Sequence, residues 1–498
     1  MSDAVLNEAK ALLERGRLAE ALTLTSPLAE APAASPRALA VHCTALKAVG
    51  RREEALAFDR RAVAQQPTSG VAWHNLGATL GDLGRGKEAV EALKKAVSLG
   101  TNGPLTWATL ARAQMAAGDL DAAEHAFQEA LRLAPSRAET AAELADLIWM
   151  RRGDLEAAQA VLDRAAHAGA PPAPLLLSKA KLYEAAGEAG RGADLLAMAA
   201  QRLPDDVPIL LAAAQAELER DNLAEAERLA LAAERLEPAR PSVLNELAIV
   251  YLARGEPQLA LAKARRGLEI APADQSLWGW AATAARAVGD PLHRELYDYD
   301  RMVGVYQIEP PAGWSSLQAF LADLAAALRR LHLFHEHPSA QSLRHGTQTL
   351  FRLTGSDEPA IRGFFEAIDA PIRRHIAGMG EGRDPVRSRR TGDYRIEGAW
   401  SVRLRSGGFH KDHFHPLGWL SSAFYVETPE QALDTPGREG WIRFGQPPFR
   451  TDPPLPAEHF VRPRPGRLVL FPSYMWHGTV PFTTDEHRMT IAFDAAPK

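Results

Sequence analysis

The chain has 498 residues, 46% of them hydrophobic and 24% charged, which excludes wholesale disorder and is too long for one compact core. A net charge of −5 gives no electrostatic reason to expect nucleic acid or an anionic membrane as a partner. The single cysteine, Cys43, excludes an internal disulfide framework and a cysteine-based zinc site. The first residues carry acids early and lack an apolar core of signal-peptide length, and no apolar run of about 18 residues follows, so a cytoplasmic protein is expected.

Alanine and leucine dominate to about residue 290, and there the sequence repeats itself. Gly16, Gly50, Gly84 and Gly118 recur every 34 residues; Gly153, Gly187, Asp221, Gly255 and Gly289 continue the series with one 35-residue step. At Asp221 the neighbouring Asn222 can share the turn role. Small residues hold the same register, as at Ala55, Ala89 and Ala123, then Ala62, Ala96 and Ala130. Trp73, Leu76, Gly77, Leu80 and Gly84, then Trp107, Leu110, Ala111, Gly118 and Phe127, give the fullest units. Glycine permits the left-handed backbone that ends a helix, and alanine lets paired helices approach. This pattern resembles the tetratricopeptide repeat. The resemblance implies a right-handed superhelix over 1–290 whose concave groove binds a protein or peptide. Trp278 and Trp280 are expected to pack at the end of that array.

Between 291 and 340 a helical linker is expected, with an amphipathic helix over 316–336. His335 and His337 fall at its end, where residues two apart point in different directions, and are read as surface or helix-end groups. A second helix is expected from about 358 to 376, and 342–349 carries no evident chemistry.

The period then changes to that of strands, at 399–404, 421–426, 440–444, 466–472 and 488–493. Short strands joined by proline- and glycine-rich turns suggest an antiparallel barrel or jelly roll. Two histidine segments sit on it, 408–416 and 471–477, with Arg488 following His477 by 11 residues. A histidine pair two apart plus a distal histidine gives three ligands on one face of a metal and leaves three positions open. Ferrous iron needs that arrangement to bind an oxo-acid and dioxygen together. An arginine on the next strand can grip the far carboxylate of 2-oxoglutarate. The proximal pair has two registers, His410 with Asp412 or His413 with His415. In a strand the two pairs face opposite ways, so one metal takes only one of them. His459 and His487 have no partner at useful spacing and are expected at the surface. Trp419, Tyr425 and Trp441 are read as core rather than pocket lining.

From about 340 to 498 the chain resembles the 2-oxoglutarate/iron(II) oxygenases, in the branch near the prolyl hydroxylases. Gly-Arg-Leu-Val-Leu-Phe-Pro-Ser before His477, and Arg488-Met489-Thr490 after it, carry the resemblance. It implies a multidomain chain, an all-α tetratricopeptide superhelix followed by a double-stranded β-helix (jelly-roll) domain at 341–498 with flanking helices. Fe(II) would be held by His413, His415 and His477, with Arg488 and Thr490 on the distal carboxylate of 2-oxoglutarate. Dioxygen would convert the cosubstrate to succinate and carbon dioxide while a side chain of a bound protein or peptide is hydroxylated. The family more often has histidine-x-aspartate at the proximal pair, so a three-histidine site carries one negative charge less. His410 and Asp412 would then lie behind the ligands or on the substrate side. Two competing expectations are a non-catalytic repeat scaffold with a degenerate jelly roll, and a three-histidine dioxygenase that does not use 2-oxoglutarate. Oligomeric state is left open by the sequence.

Overall fold

The computed structural model describes residues 2–350 and 353–498. The chain forms two compact units, Met1–Leu144 with Leu350–Ser356, and Ala145–Thr349 with Asp357–Lys498. The fold is an all-α repeat array followed by an antiparallel β domain.

Among the described residues, paired helices run from Ser2–Glu14 to Gln275–Val288. Their ends follow from local chemistry. Side chains of Ser69, Asp119, Asp154, Asp206 and Asp274 each accept a hydrogen bond from the backbone N–H three residues on, capping the helix that follows. Every glycine of the 34-residue series has φ between 64° and 84°, and Asp221 takes the same left-handed backbone itself at φ 60°. The register alanines at 55, 89, 123, 96 and 130 are fully buried and Ala62 nearly so, so alternating helices approach closely without large side chains between them. In the first unit, a Cβ on Gly77 would lie 2.6 Å from the Leu93 side chain, which fixes glycine at that crossing.

In the second unit the strands are β1 Gly304–Gln307, β2 Leu343–Gln348, β3 Tyr394–His410, β4 Leu420–Glu427, β5 Ile442–Phe444, β6 His459–Val461, β7 Arg467–Pro472, β8 His477–Thr479 and β9 Arg488–Pro497. Six form one antiparallel sheet, β1-β7-β4-β9-β3-β2, and three form another, β6-β5-β8. The sheets meet through Phe444 of β5 and Phe471 of β7, whose rings are 5.1 Å apart. Helix Pro359–Gly378 covers the outer face of the larger sheet, with Phe364 against Phe424 and Phe493. On β9, Met489, Ile491 and Phe493 are fully buried on that face. Arg488, Thr490, Ala492 and Asp494 alternate with them and turn inward to a cavity.

The five expected strands lie within or largely overlap β3, β4, β5, β7 and β9. The other four, β1, β2, β6 and β8, are short, and the polar sequences of β2 (Leu-Arg-His-Gly-Thr-Gln) and β8 (His-Gly-Thr) carry no strand periodicity. The expected helix at 316–336 is shorter, Leu317–Leu331. The residues after it correct a reading: His335 is exposed, but His337 is buried. The Trp149 indole donates to the His337 carbonyl at 3.0 Å and its ring meets the imidazole edge to face, while Ser339 N–H donates to Asp146 at 3.0 Å. His487 is exposed as expected, whereas His459 is half-buried and stacked on Tyr299 at 5.0 Å.

The last repeat helix is packed into the β domain. Trp280 lies 4.7 Å from Trp476, whose indole donates to Thr283 Oγ1 at 2.8 Å. Arg286 donates to the carbonyls of Gly445 and Pro456 and pairs with Glu458. A Cβ on Gly279 would stand 3.0 Å from the Tyr474 carbonyl, so a larger residue there would press the two elements apart. Trp419 and Tyr425 are core residues, fully buried.

Candidate metal centre

β3 ends at His410, and the next residues leave the sheet. The chain turns so that His413 pairs through its backbone with His477, N–H to carbonyl in both directions at 2.9 Å. His415 N–H donates to the Ser473 carbonyl, also at 2.9 Å. The proximal histidines are therefore not borne on a strand. They sit on a loop clamped to the turn that leads into β8, which brings residues about sixty positions apart onto one point.

One ring nitrogen from each of His413, His415 and His477 lies within 4.8 Å of the other two. Each ring is turned by an acceptor at Nδ1. His413 Nδ1–H donates to the Lys411 carbonyl at 2.7 Å, His477 Nδ1–H to the Met475 carbonyl at 3.0 Å, and His415 Nδ1–H to Asp494 Oδ1 at 2.6 Å. With Nδ1 protonated in all three, the Nε2 atoms carry lone pairs. Nε2 of His413 and Nε2 of His415 face each other at 3.3 Å, an arrangement that a shared cation relieves. Burial is the leading cause that pushes the His413 imidazole down to about 3, with His415 second, and burial drives His477 well below its ordinary value. Burial thus keeps His413 and His477 neutral, as metal ligation requires.

The other register is placed differently. Asp412 is buried and makes a two-pronged ion pair with Arg443, Nε to Oδ1 at 2.9 Å and Nη2 to Oδ2 at 2.5 Å. Burial raises the Asp412 carboxyl and Arg443 pulls it back. Gly478 leaves room for that carboxylate, because a Cβ there would stand 2.4 Å from Asp412 Oδ1. His410 stacks 5.8 Å from His413, and the Ser342 hydroxyl lies 3.1 Å from His410 Nδ1 and 3.3 Å from His413 Nε2.

A cavity of about 430 Å³ opens on the three histidines and runs to Arg488 and Thr490. Arg488 is 2% exposed, lies 5.0 Å over the Tyr425 ring, and among the described residues pairs with no carboxylate; its Nε has no acceptor. A second cavity of about 820 Å³ shares Ser342, His413 and Phe414 with the first, and is walled by repeat residues including Glu184, Glu219 and Trp280. Glu184 bridges Arg344 at 2.7 Å and Lys411 at 2.6 Å across it.

Residues 398–494 match the sequence profile of the family described as "Putative 2OG-Fe(II) oxygenase", and 71–99 and 104–137 match tetratricopeptide-repeat profiles. The chain carries tetratricopeptide repeats and, at its C-terminus, a region that matches the 2OG-Fe(II) oxygenase family model. Solved structures similar to it include MamA from Desulfovibrio magneticus RS-1 (21% identity, 34% of this chain and 94% of that one, TM-score 0.30). Others are PilF of Pseudomonas aeruginosa (22%, 42% and 94%, TM-score 0.34) and the tetratricopeptide protein YrrB (16%, 38% and 96%, TM-score 0.27). No curated protein sequence matches the chain.

Within the oxygenase domain, sequence reasoning passed over Ser342, Asp494 and Gly478. Asp494 had a usable signal, since strand alternation puts it on the same face as Arg488 and Thr490. Ser342 had none, because its approach to His413 depends on an edge strand without periodicity.

Proposed function

We propose that the protein is a 2-oxoglutarate- and Fe(II)-dependent dioxygenase that hydroxylates a side chain of a protein or peptide presented by its repeats. The observation that carries this reading is one cavity lined by three convergent imidazoles and by a buried guanidinium that pairs with no carboxylate among the described residues. In this reading the two facing sheets are a double-stranded β-helix. His413, His415 and His477 hold the metal. Bound there, ferrous iron supplies the chemistry that couples conversion of 2-oxoglutarate and dioxygen to succinate and carbon dioxide with hydroxylation of a C–H bond. Arg488 grips the distal carboxylate through paired N–H donors, and the Thr490 hydroxyl, two residues along the same face of β9, adds a third donor. Phe471 and Phe444, packed around His477, keep water from that side of the ligands. The larger cavity between repeat helices and metal site is the route by which a substrate side chain reaches it.

A three-histidine dioxygenase independent of 2-oxoglutarate is favoured by the all-imidazole donor set, but it gives buried Arg488 nothing to bind. No helix among the described residues is long and apolar enough to cross a membrane. The deciding experiment is succinate formation from 2-oxoglutarate by the iron(II)-reconstituted chain beside His477→Ala. Turnover lost in the variant supports the proposal. Bound iron with no succinate, in the presence of peptides retained by the repeats, moves the reading to the three-histidine alternative; no bound iron moves it to a scaffold.

A further inference from the structure

Of the three histidines, only His415 is backed by a carboxylate. His413 and His477 donate to backbone carbonyls, which are neutral acceptors, whereas His415 donates to Asp494 at 2.6 Å. That carboxylate is itself held. Ser421 Oγ donates to Asp494 Oδ1 at 2.7 Å and lies 2.8 Å from Ser473 Oγ, and the Ser473 carbonyl accepts from His415 N–H. A Cβ on Gly418 would stand 2.3 Å from Ser473 Oγ and 3.5 Å from Asp494 Cγ, so the backbone at Gly418 closes against one side of the network. Asp494 pairs with Ser421 in the β4–β9 ladder, which fixes its height in the sheet.

Three neutral imidazoles give a divalent cation no compensating charge, whereas two imidazoles and a carboxylate give one unit. We propose that Asp494 is a positioning residue for the metal. It holds His415 with Nε2 free, and returns to the site, one hydrogen bond further out, the negative charge that an all-histidine donor set lacks. This inference rests on the metal-binding reading of His413, His415 and His477. A carboxylate behind a ligating imidazole raises its basicity, and removing such a partner typically lowers metal affinity about 10- to 100-fold.

Co(II) is the probe, titrated into the full metal-free chain and followed by its visible d–d bands and by calorimetry. Wild type is expected to bind one Co(II), and His477→Ala to lose it. Asp494→Asn should keep the same band positions, since the three nitrogens still ligate, while its Kd rises about 10- to 100-fold. Ser421→Ala, which leaves the carboxylate but frees its orientation, should fall between the two. A Kd for Asp494→Asn within about twofold of wild type, or one raised only in step with a lower melting point of the metal-free chain, overturns the proposal. The unmutated chain gives an independent check. Histidine 15N shifts of the metal-free protein should place the His415 proton on Nδ1, and finding it on Nε2 overturns the proposal even if Asp494→Asn fails to fold. Failure of wild type to bind Co(II) would instead sink the metal-site reading, and this inference with it.

Discussion

Replacing Arg488 with methionine should weaken 2-oxoglutarate and strengthen the empty protein, two effects of opposite sign from one substitution. The side chain is 2% exposed and its guanidinium has no carboxylate partner among the described residues. Truncating one member of a buried, hydrogen-bonded charge pair costs about 2–5 kcal/mol, and a tenfold change in affinity is about 1.4 kcal/mol. The 2-oxoglutarate concentration for half-maximal succinate formation should therefore rise by between about thirtyfold and a few thousandfold, with Co(II) binding unchanged. Without cosubstrate the charge is buried with no carboxylate partner, a cost that apolar replacement removes. Methionine has nearly the length of the arginine stem and no charge to bury, so the apo chain should melt higher. The assays are succinate release against 2-oxoglutarate concentration, and thermal unfolding of the apo protein with and without 2-oxoglutarate. An unchanged half-saturation, within about threefold of wild type, would refute the carboxylate grip. A variant that is also less stable would show that Arg488 serves the core.

Four further outcomes are expected. Asp412→Asn should retain Co(II) binding and His415→Ala lose it, because Asp412 is committed to Arg443; equal loss in both would restore the other register. Arg443→Met strands the Asp412 carboxylate and should cost about 3–5 kcal/mol of stability, read from urea unfolding. Stability should fall as the pH drops below about 6.5, because burial holds His337 and His375 down to about 4. Their folded values lie below the unfolded one, so the native state binds fewer protons, and each removes up to about 2 kcal/mol by about pH 5. A urea midpoint unchanged between about pH 7.5 and 5, or a slope that His375→Leu leaves intact, would contradict this. Asp221→Gly relieves the one non-glycine left-handed residue of the repeat series and should stabilise by about 1 kcal/mol, raising the melting point by about 1–2 °C. A lower melting point would mean that its ion pair with Arg450 matters more than the backbone.

The array was legible because each repeat is specified by neighbours in the chain. Glycine, or one aspartate, ends the first helix of each hairpin, and alanine sets how closely the helices approach, so a 34-residue period in the letters becomes one in space. The spacing of His477 and Arg488 was legible for a similar reason, since both sit at the starts of strands joined by a single loop. Alternation on β9 carried enough information to place Arg488, Thr490 and Asp494 on one face.

What the letters could not decide was which of two adjacent pairs converges on His477. Strict strand alternation was the wrong guide, because β3 stops at His410 and the chain turns before His413. The choice was made by partners far away in sequence. Arg443, 31 residues on, takes Asp412; Asp494, 79 residues on, takes the back of His415; and Ser342, 71 residues earlier, reaches the front of His413. The same holds for His337, which helix periodicity leaves at a surface end and which Trp149, 188 residues earlier, encloses. Local propensity acts over a few residues, whereas a buried charge or imidazole is settled by whichever polar group the fold brings within hydrogen-bond distance. Only the tertiary structure fixes that group.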